Sequence, residues 1–257
     1  MGSDSDIDSG CAPQPGPPAP LPFGAADLAQ CLGWGWHRFR QIPGASTAYA
    51  TPFALIGLGL LLGLRWLGLT AFMPVLLGGF MLVGPALLAG FFRLASAGDR
   101  PALRSAWAAT LRAPPGLWVI SLVCGVLFLV WVTDAAVLYG FIVGSGPPAA
   151  LPGWLPRLPA NVLRFELWAA LLGIGLAAMI FVASAFSVPL LHERRATLVP
   201  AVHASARAVF TSPLAAVLWA LLLASGTGLG ILLLPLFPMV LPVLAYASYA
   251  LYRRVFP

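Results

Sequence analysis

Four stretches of this chain run for tens of residues almost without charge, and that feature limits what it can fold into. No charged residue lies between Arg112 and Asp134, between Glu166 and His192, or between Arg207 and Arg253. From Ala45 to Phe92 the single charge is Arg65. A membrane-spanning helix needs about 20 mostly apolar residues, each rising about 1.5 Å. Runs 45–92 and 208–252 have room for two such helices each, and the other two runs for one each. Charged residues make up 9% of the chain, against roughly a quarter in soluble domains. That is too few to cover a surface facing water. Hydrocarbon offers the backbone no partners, so helices are the expected solution, and these runs are too long and too uniformly apolar for barrel strands. The expected class is an all-α membrane protein with six transmembrane helices at about 46–64, 68–93, 116–140, 167–191, 213–229 and 231–252. The last pair would reverse in "GTGLG" (226–230), where glycine permits a tight turn. A single broken helix is the alternative there.

Orientation follows from arginine, because the chain has no lysine. With six spans, one side holds Arg38, Arg40, Arg93, Arg100, Arg104, Arg112, Arg194, Arg195, Arg207, Arg253 and Arg254. The other holds Arg65, Arg157 and Arg164. Positive charge stays on the cytoplasmic side, which predicts both termini inside and a bacterial inner-membrane location. Anionic lipid accounts for the basic bias, and nucleic-acid binding, which needs a basic soluble surface, is excluded as a class.

Three shorter segments have one apolar side at helical spacing. In 27–43 it is Leu28, Cys31, Leu32, Trp36, Phe39 and Ile42, with Gln30, His37, Arg40 and Gln41 away from it. In 100–114 Leu103, Trp107, Thr110 and Leu111 oppose Arg100, Arg104 and Arg112. After His192, Leu198, Val199, Val202, Ala206, Val209 and Phe210 oppose Thr197, His203 and Arg207. Such helices suit the headgroup region. Each ends at a proline, Pro43, Pro114 or Pro213, which stops or bends a helix. The pattern predicts a three-fold repeat of cytoplasmic interfacial amphipathic helix, proline corner and transmembrane pair. Gly59 with Gly63, Gly173 with Ala177, and Gly226 with Gly230 have the spacing that lets spans approach closely.

Residues 1–26 are acidic, then dense in proline, and read as a disordered cytoplasmic tail ahead of a polytopic domain at 27–257. The outer loop 144–165 is rich in proline and glycine and reads as irregular. Cys11 and Cys31 would face a reducing cytosol and Cys124 would lie in a span, so no disulfide framework follows. Nucleophilic triads, paired carboxylates and metal-ligand clusters are missing from the spans, which predicts no enzyme activity, metal or cofactor. The polar residues that stand out are Asp134, Arg164, Arg65, His192, Glu193 and Arg194. Asp134 falls about 28 Å along its helix from Pro115, near the outer boundary. An acid at that depth calls for a partner, and Arg164 and Arg65 are the expected ones. Ion or proton handling is the competing role for Asp134. His192, Glu193 and Arg194 fall where the fourth span leaves the membrane, and read as its anchor.

Taken together, "WHRFRQIPGASTAYATPFALIG" (36–57), "GPALLAGFFRLASAG" (84–98), "FVASAFSVPLLHERRAT" (181–197) and "SPLAAVLWALLL" (212–223) resemble a bacterial integral membrane family, domain of unknown function 2189. The segment Ser187 to Arg194 carries the most specific likeness. The resemblance covers most of 30–256 and implies a multi-span protein. Some members carry the label of cytochrome c oxidase component. Two departures matter: Ser212-Pro213 stands where the family commonly has Asn-Pro, and Tyr246 and Ala250 stand where many members have histidines. A metal or haem role for those histidines does not transfer, and neither does oxidase catalysis. The function expected is a non-enzymatic accessory, assembly or scaffold component, for instance of a respiratory complex, in contact with lipid and other membrane subunits. A small-solute or ion transporter is the alternative.

Overall fold

The computed structural model describes residues 19–69, 84–98, 102–144 and 160–257. The described residues form helices and connections, with no strand among them. In chain order these are α1 (Ala25–Gln41), α2 (Pro43–Trp66), α3 (Pro85–Ser96), α4 (Leu103–Leu111) and α5 (Pro115–Ile142). Then come α6 (Ala160–Ser184), α7 (Ser187–His192), α8 (Leu198–Thr211), α9 (Pro213–Leu232) and α10 (Phe237–Val255). Proline opens α2, α5 and α9 directly after the shorter α1, α4 and α8. A proline in the first turn gives up an N–H that has no intrahelical partner there, and its fixed φ suits the new helix.

Four helical stretches among the described residues are long and apolar enough to cross a membrane: α2, α5, the run Asn161–His192, and α9 from Pro213 to Gly230. Only 17 to 22% of each is buried within the protein, so most of their surface is left for hydrocarbon. The expected second span, 68–93, lies partly at 70–83, outside the described residues, and α3 covers its last part. Also outside them are residues 1–18 of the tail, with Cys11, residues 99–101, and 145–159 of the outer loop.

Helix α10 differs from the four. It is 19 residues long, ends in Arg253 and Arg254, and buries Tyr246, Tyr249 and Tyr252. It is an inner helix, and α1, α2, α3 and α9 all pack on it. Helix α1 lies antiparallel along it: the Leu21 N–H donates to the Val255 carbonyl at 2.9 Å, and Asp27 pairs with Arg254 at 2.6 Å. Further along, Gly35 touches the α10 backbone, where a β-carbon would come 2.6 Å from the Val243 oxygen. In the same manner α4 packs on α3, and α8 on α6 and α7.

The sides turned inward by these short helices are not simply their largest apolar residues. On α8 the buried residues are Ala201, Ala204, Ser205, Ala208 and Val209, while Val199 and Phe210 stay outside at 76% and 72% exposure. On α1 they are Leu28, Cys31, Gly35, Arg38 and Phe39, with Trp36 at the surface. Close van der Waals contact and hydrogen bonding hold these helices against their neighbours. Small residues permit that closeness.

Three expectations need correction. The "GTGLG" segment is helical, and α9 continues through it to Leu232; the reversal lies at 233–236, around Pro235. Those glycines serve packing, since a β-carbon on Gly226 would come 3.0 Å from Leu244 and one on Gly230 3.4 Å from Phe237. Gly173 likewise lies against the Trp131 ring, but Gly59 and Gly63 have nothing within 4 Å. Residues 23–26, expected in the tail, also belong to the packed fold: Phe23 is buried, its N–H donates to Ser212 Oγ at 3.0 Å, and its ring meets Phe186 edge-on. Finally, α6 begins at Ala160, not near 167, because its first turns continue through Asn161, Arg164 and Glu166. It breaks at Ala185–Phe186, one turn before Pro189, which cannot donate to the carbonyl four residues back.

The buried core gathers toward one end of the bundle. It combines Tyr49, Phe53, Phe91, Phe92, Leu117, Leu190, Trp219, Tyr246 and Tyr252. A smaller cluster of Trp131, Ala135, Phe165 and Ala169 joins α5 to α6 farther out.

Candidate functional site

The densest set of polar contacts forms where α7 ends. Glu193 terminates that helix, and Arg194 follows with φ of 54°, a left-handed conformation that side chains other than glycine's rarely adopt. The Arg194 N–H bonds the Leu191 carbonyl and the Arg195 N–H bonds that of Leu190, both at 3.0 Å. This is the paired closure by which helices end in a left-handed residue. It reverses the chain so that Glu193 and Arg195 both reach α10.

Glu193 accepts two hydrogen bonds there, from the Tyr249 hydroxyl to Oε1 at 2.7 Å and from the Tyr252 hydroxyl to Oε2 at 2.8 Å. Arg253 adds an ion pair at 3.4 Å. Arg195 completes the set by donating to the Tyr252 oxygen at 3.3 Å, the Phe256 carbonyl at 2.7 Å and the Pro257 oxygen at 2.7 Å. Arg195 therefore satisfies carbonyls that the end of α10 leaves unpaired, and its charge complements the negative end of that helix. The His192 ring meets Phe92 edge-on at 5.9 Å, and Phe92 lies 5.5 Å from Tyr249. Glu193 thus works as a socket for the last helix. Arg194 is exposed.

A second arginine does similar work at α3. Arg38 is only 6% exposed, and its Nη2 donates to the carbonyls of Leu94 at 2.9 Å, Gly98 at 3.1 Å and Ala97. Its Nη1 donates to Gln41 at 3.0 Å. A cation over the last carbonyls of a helix meets both their unpaired oxygens and the helix dipole. Between these clamps lie buried hydroxyls. Tyr49 contacts the Leu87 carbonyl at 2.9 Å and Thr110 at 2.6 Å, joining α2, α3 and α4. Ser46 donates to the Ile42 carbonyl at 2.8 Å and so accepts from Tyr246 at 2.7 Å, joining α2 to α10. Ser205 donates to the Val182 carbonyl and accepts from the Phe186 N–H, joining α8 to the α6–α7 break.

The Ser46–Tyr246 pair yields an asymmetric expectation. Ser46→Ala strands a buried tyrosine hydroxyl and costs about 1–2 kcal/mol, whereas Tyr246→Phe leaves Ser46 bonded to Ile42 and costs about 0.5 kcal/mol. The double variant should be no less stable than Ser46→Ala alone. Apparent melting temperatures in one detergent measure all three.

Cys31 lies under this end of the bundle at 4% exposure. Burial pushes its thiol above the ordinary value; Arg254 opposes that shift and Asp27 adds to it. It should react slowly with maleimides.

Asp134 and the arginines expected to pair with it are not brought together. Asp134, Arg164 and Arg65 are exposed, and the two ion pairs among the described residues, Arg253–Glu193 and Arg254–Asp27, involve none of them. The ion pairs expected for Asp134, with Arg164 or Arg65, are therefore not formed among the described residues. Among the described residues no three His, Cys, Asp or Glu side chains group as metal ligands do. An apolar cavity of about 590 Å³ lies between α1, α9 and α10, bordered by Leu32, Trp36, Leu229, Met239 and Leu244, with Ser225 its polar member.

His192, Glu193 and Arg194 stand out in the sequence, where they are expected to anchor a span. Tyr249, Tyr252, Arg195 and Arg38 do not stand out there as clamp residues. The available signal was the tyrosine spacing on α10, which sets Tyr249 and Tyr252 three residues apart on one side of a helix.

No curated protein and no solved structure matches the chain. A family model does match, over residues 72–193, and its description is predicted integral membrane protein. That region includes α3 to α7 and ends at Glu193, the centre of the clamp. Residues 72–193 are thus similar to the domain of unknown function 2189 family of predicted integral membrane proteins.

Proposed function

We propose that this protein is a non-enzymatic scaffold or assembly component of a bacterial inner membrane, with six spans and both termini in the cytoplasm. Helix α3, extended by the residues before it, would serve as the second span and α10 as the sixth. Three units of short helix, proline join and paired spans would then close into a ring. What supports the ring is that each short helix packs on the return helix of the unit before it: α4 on α3, α8 on α6 and α7, and α1 on α10. The first and last units meet through Leu21 and Val255, and through Asp27 and Arg254. An even number of crossings brings the two ends to the same side, and the arginine bias makes that side the cytoplasm.

The observation that carries the scaffold role is the use made of the polar side chains. Arg38, Glu193 and Arg195, and the hydroxyls of Ser46, Tyr49, Ser205 and Tyr246, spend their hydrogen bonds tying helix ends together at one end of the bundle. Asp134, the acid on which a transport role would rest, faces outward. The role is tested by purifying the chain from native membranes in mild detergent. A membrane-protein partner in fixed ratio is expected, with subunits of a respiratory complex the first to be sought. A chain that purifies alone and drives solute flux in proteoliposomes would contradict it.

A further inference from the structure

The antiparallel pair α5–α6 carries on one flank an acid and a base, Asp134 and Arg164, that form no ion pair among the described residues. Trp131 Nε1 donates to the Ala169 carbonyl at 3.3 Å, and Tyr139 meets Phe165 edge-on at 5.1 Å. Together they fix the register of the two helices. Asp134 immediately precedes the buried Ala135, and Arg164 immediately precedes the buried Phe165. In two antiparallel right-handed helices, the positions just before the contact residues fall on the same flank. The register sets Arg164 about one turn, roughly 6 Å, farther out than Asp134. Apolar residues continue that flank: Val130 at 47% exposure, Phe141 at 86%, Trp168 at 55% and Leu172 at 50%.

We infer that this flank is the interface of a homodimer whose two-fold axis runs along the membrane normal, with Asp134 of each copy paired to Arg164 of the other. The inference uses only α5 and α6, both within stretches long and apolar enough to span. A two-fold contact through one flank necessarily places α5 against the other copy's α6, so one kind of pair forms twice. An acid on the lipid side of a span is costly unless it finds a partner. A second copy supplies the base that the chain's own fold leaves one turn away. The offset is within reach of an arginine side chain, and the apolar residues around the pair exclude water from it.

The test uses two differently tagged full-length chains in lipid nanodiscs or mild detergent. Wild-type copies should co-purify as dimers. Asp134→Arg and Arg164→Asp each place like charges across the axis, and each should weaken self-association by at least about tenfold. Mixed together, these two variants form opposite-charge pairs at both positions, so they should co-purify with each other and not with themselves. The double variant Asp134→Arg/Arg164→Asp should again self-associate. That recovery also separates charge pairing from misfolding, because a misfolded chain would not regain it. A monomeric wild type, single variants that dimerise unchanged, failure of the two variants to pair, or a different protein captured on this flank would each overturn the inference.

Discussion

Gly90→Ala should lower the apparent melting temperature by about 10 °C, the largest effect expected from a single methyl group in this protein. A β-carbon at Gly90 would come 2.1 Å from the Tyr49 hydroxyl and 2.2 Å from its ring carbon. Neither atom lies on a flexible tip, because Tyr49 is fully buried. It is held by Thr110 and the Leu87 carbonyl and ringed by Phe53, Phe91 and Trp107. Tyr49 would have to leave its site, giving up both hydrogen bonds and those ring contacts. Emptying an aromatic site in a core costs about 3–5 kcal/mol, and each kcal/mol lowers the melting temperature of a chain this size by about 2–4 °C. The two positions should also be coupled. On a Tyr49→Ala background the added methyl has nothing to strike, so Gly90→Ala should cost less than about 0.5 kcal/mol there. Independent, additive losses would refute the packing derived for α2 on α3.

Glu193→Ala should detach the end of α10. It removes the acceptor for two tyrosine hydroxyls and the partner of Arg253. Hydrogen bonds to a charged group contribute about 1.5–3 kcal/mol each, so the loss should be on the order of 3 kcal/mol. It should be local before it is global, since helix ends open at a lower free energy than the core. Trypsin provides the measurement. Arg253 and Arg254 are its targets on α10, and cleavage requires that turn to unwind. Loss of a C-terminal tag should accelerate by about a hundredfold, following the opening equilibrium. Arg253→Ala, which removes a partner that is 55% exposed, should cost no more than about 1 kcal/mol. A Glu193→Ala chain that keeps its tag as long as the parent would show that the socket does not hold the helix.

The contrast between these two sites explains what the sequence could disclose. Apolar runs and prolines act locally, so the long helices and the joins at Pro43, Pro114 and Pro213 could be read from composition and spacing, with α5 opening one residue later at Pro115. Helix termination is less local. The end of α7 has arginine where glycine is usual, so nothing in "HERR" marked a left-handed turn. Glycine is ambiguous for the opposite reason. In 226–230 it resembled a reversal but allows α9 to approach α10, while nothing in the sequence singled out Gly35 and Gly90, the closest approaches. The clamp was least visible, because its partners lie far apart in sequence: Glu193 from Tyr252, and Arg38 from Leu94. The arginines that carry the charge bias have two kinds of position. Arg38 and Arg195 hold helix ends, whereas Arg65 and Arg164 are exposed at the other end.

Cleavable tags at both ends of the full chain, exposed to protease in spheroplasts and again after lysis, measure the central proposal most directly. Both tags should survive while the membrane is sealed and both should be lost once it is opened, because the meeting of Leu21 with Val255 keeps the two ends together on the arginine-rich side. One tag removed from outside and the other protected would mean an odd number of crossings, and the account of the fold as a closed ring of paired spans would be wrong.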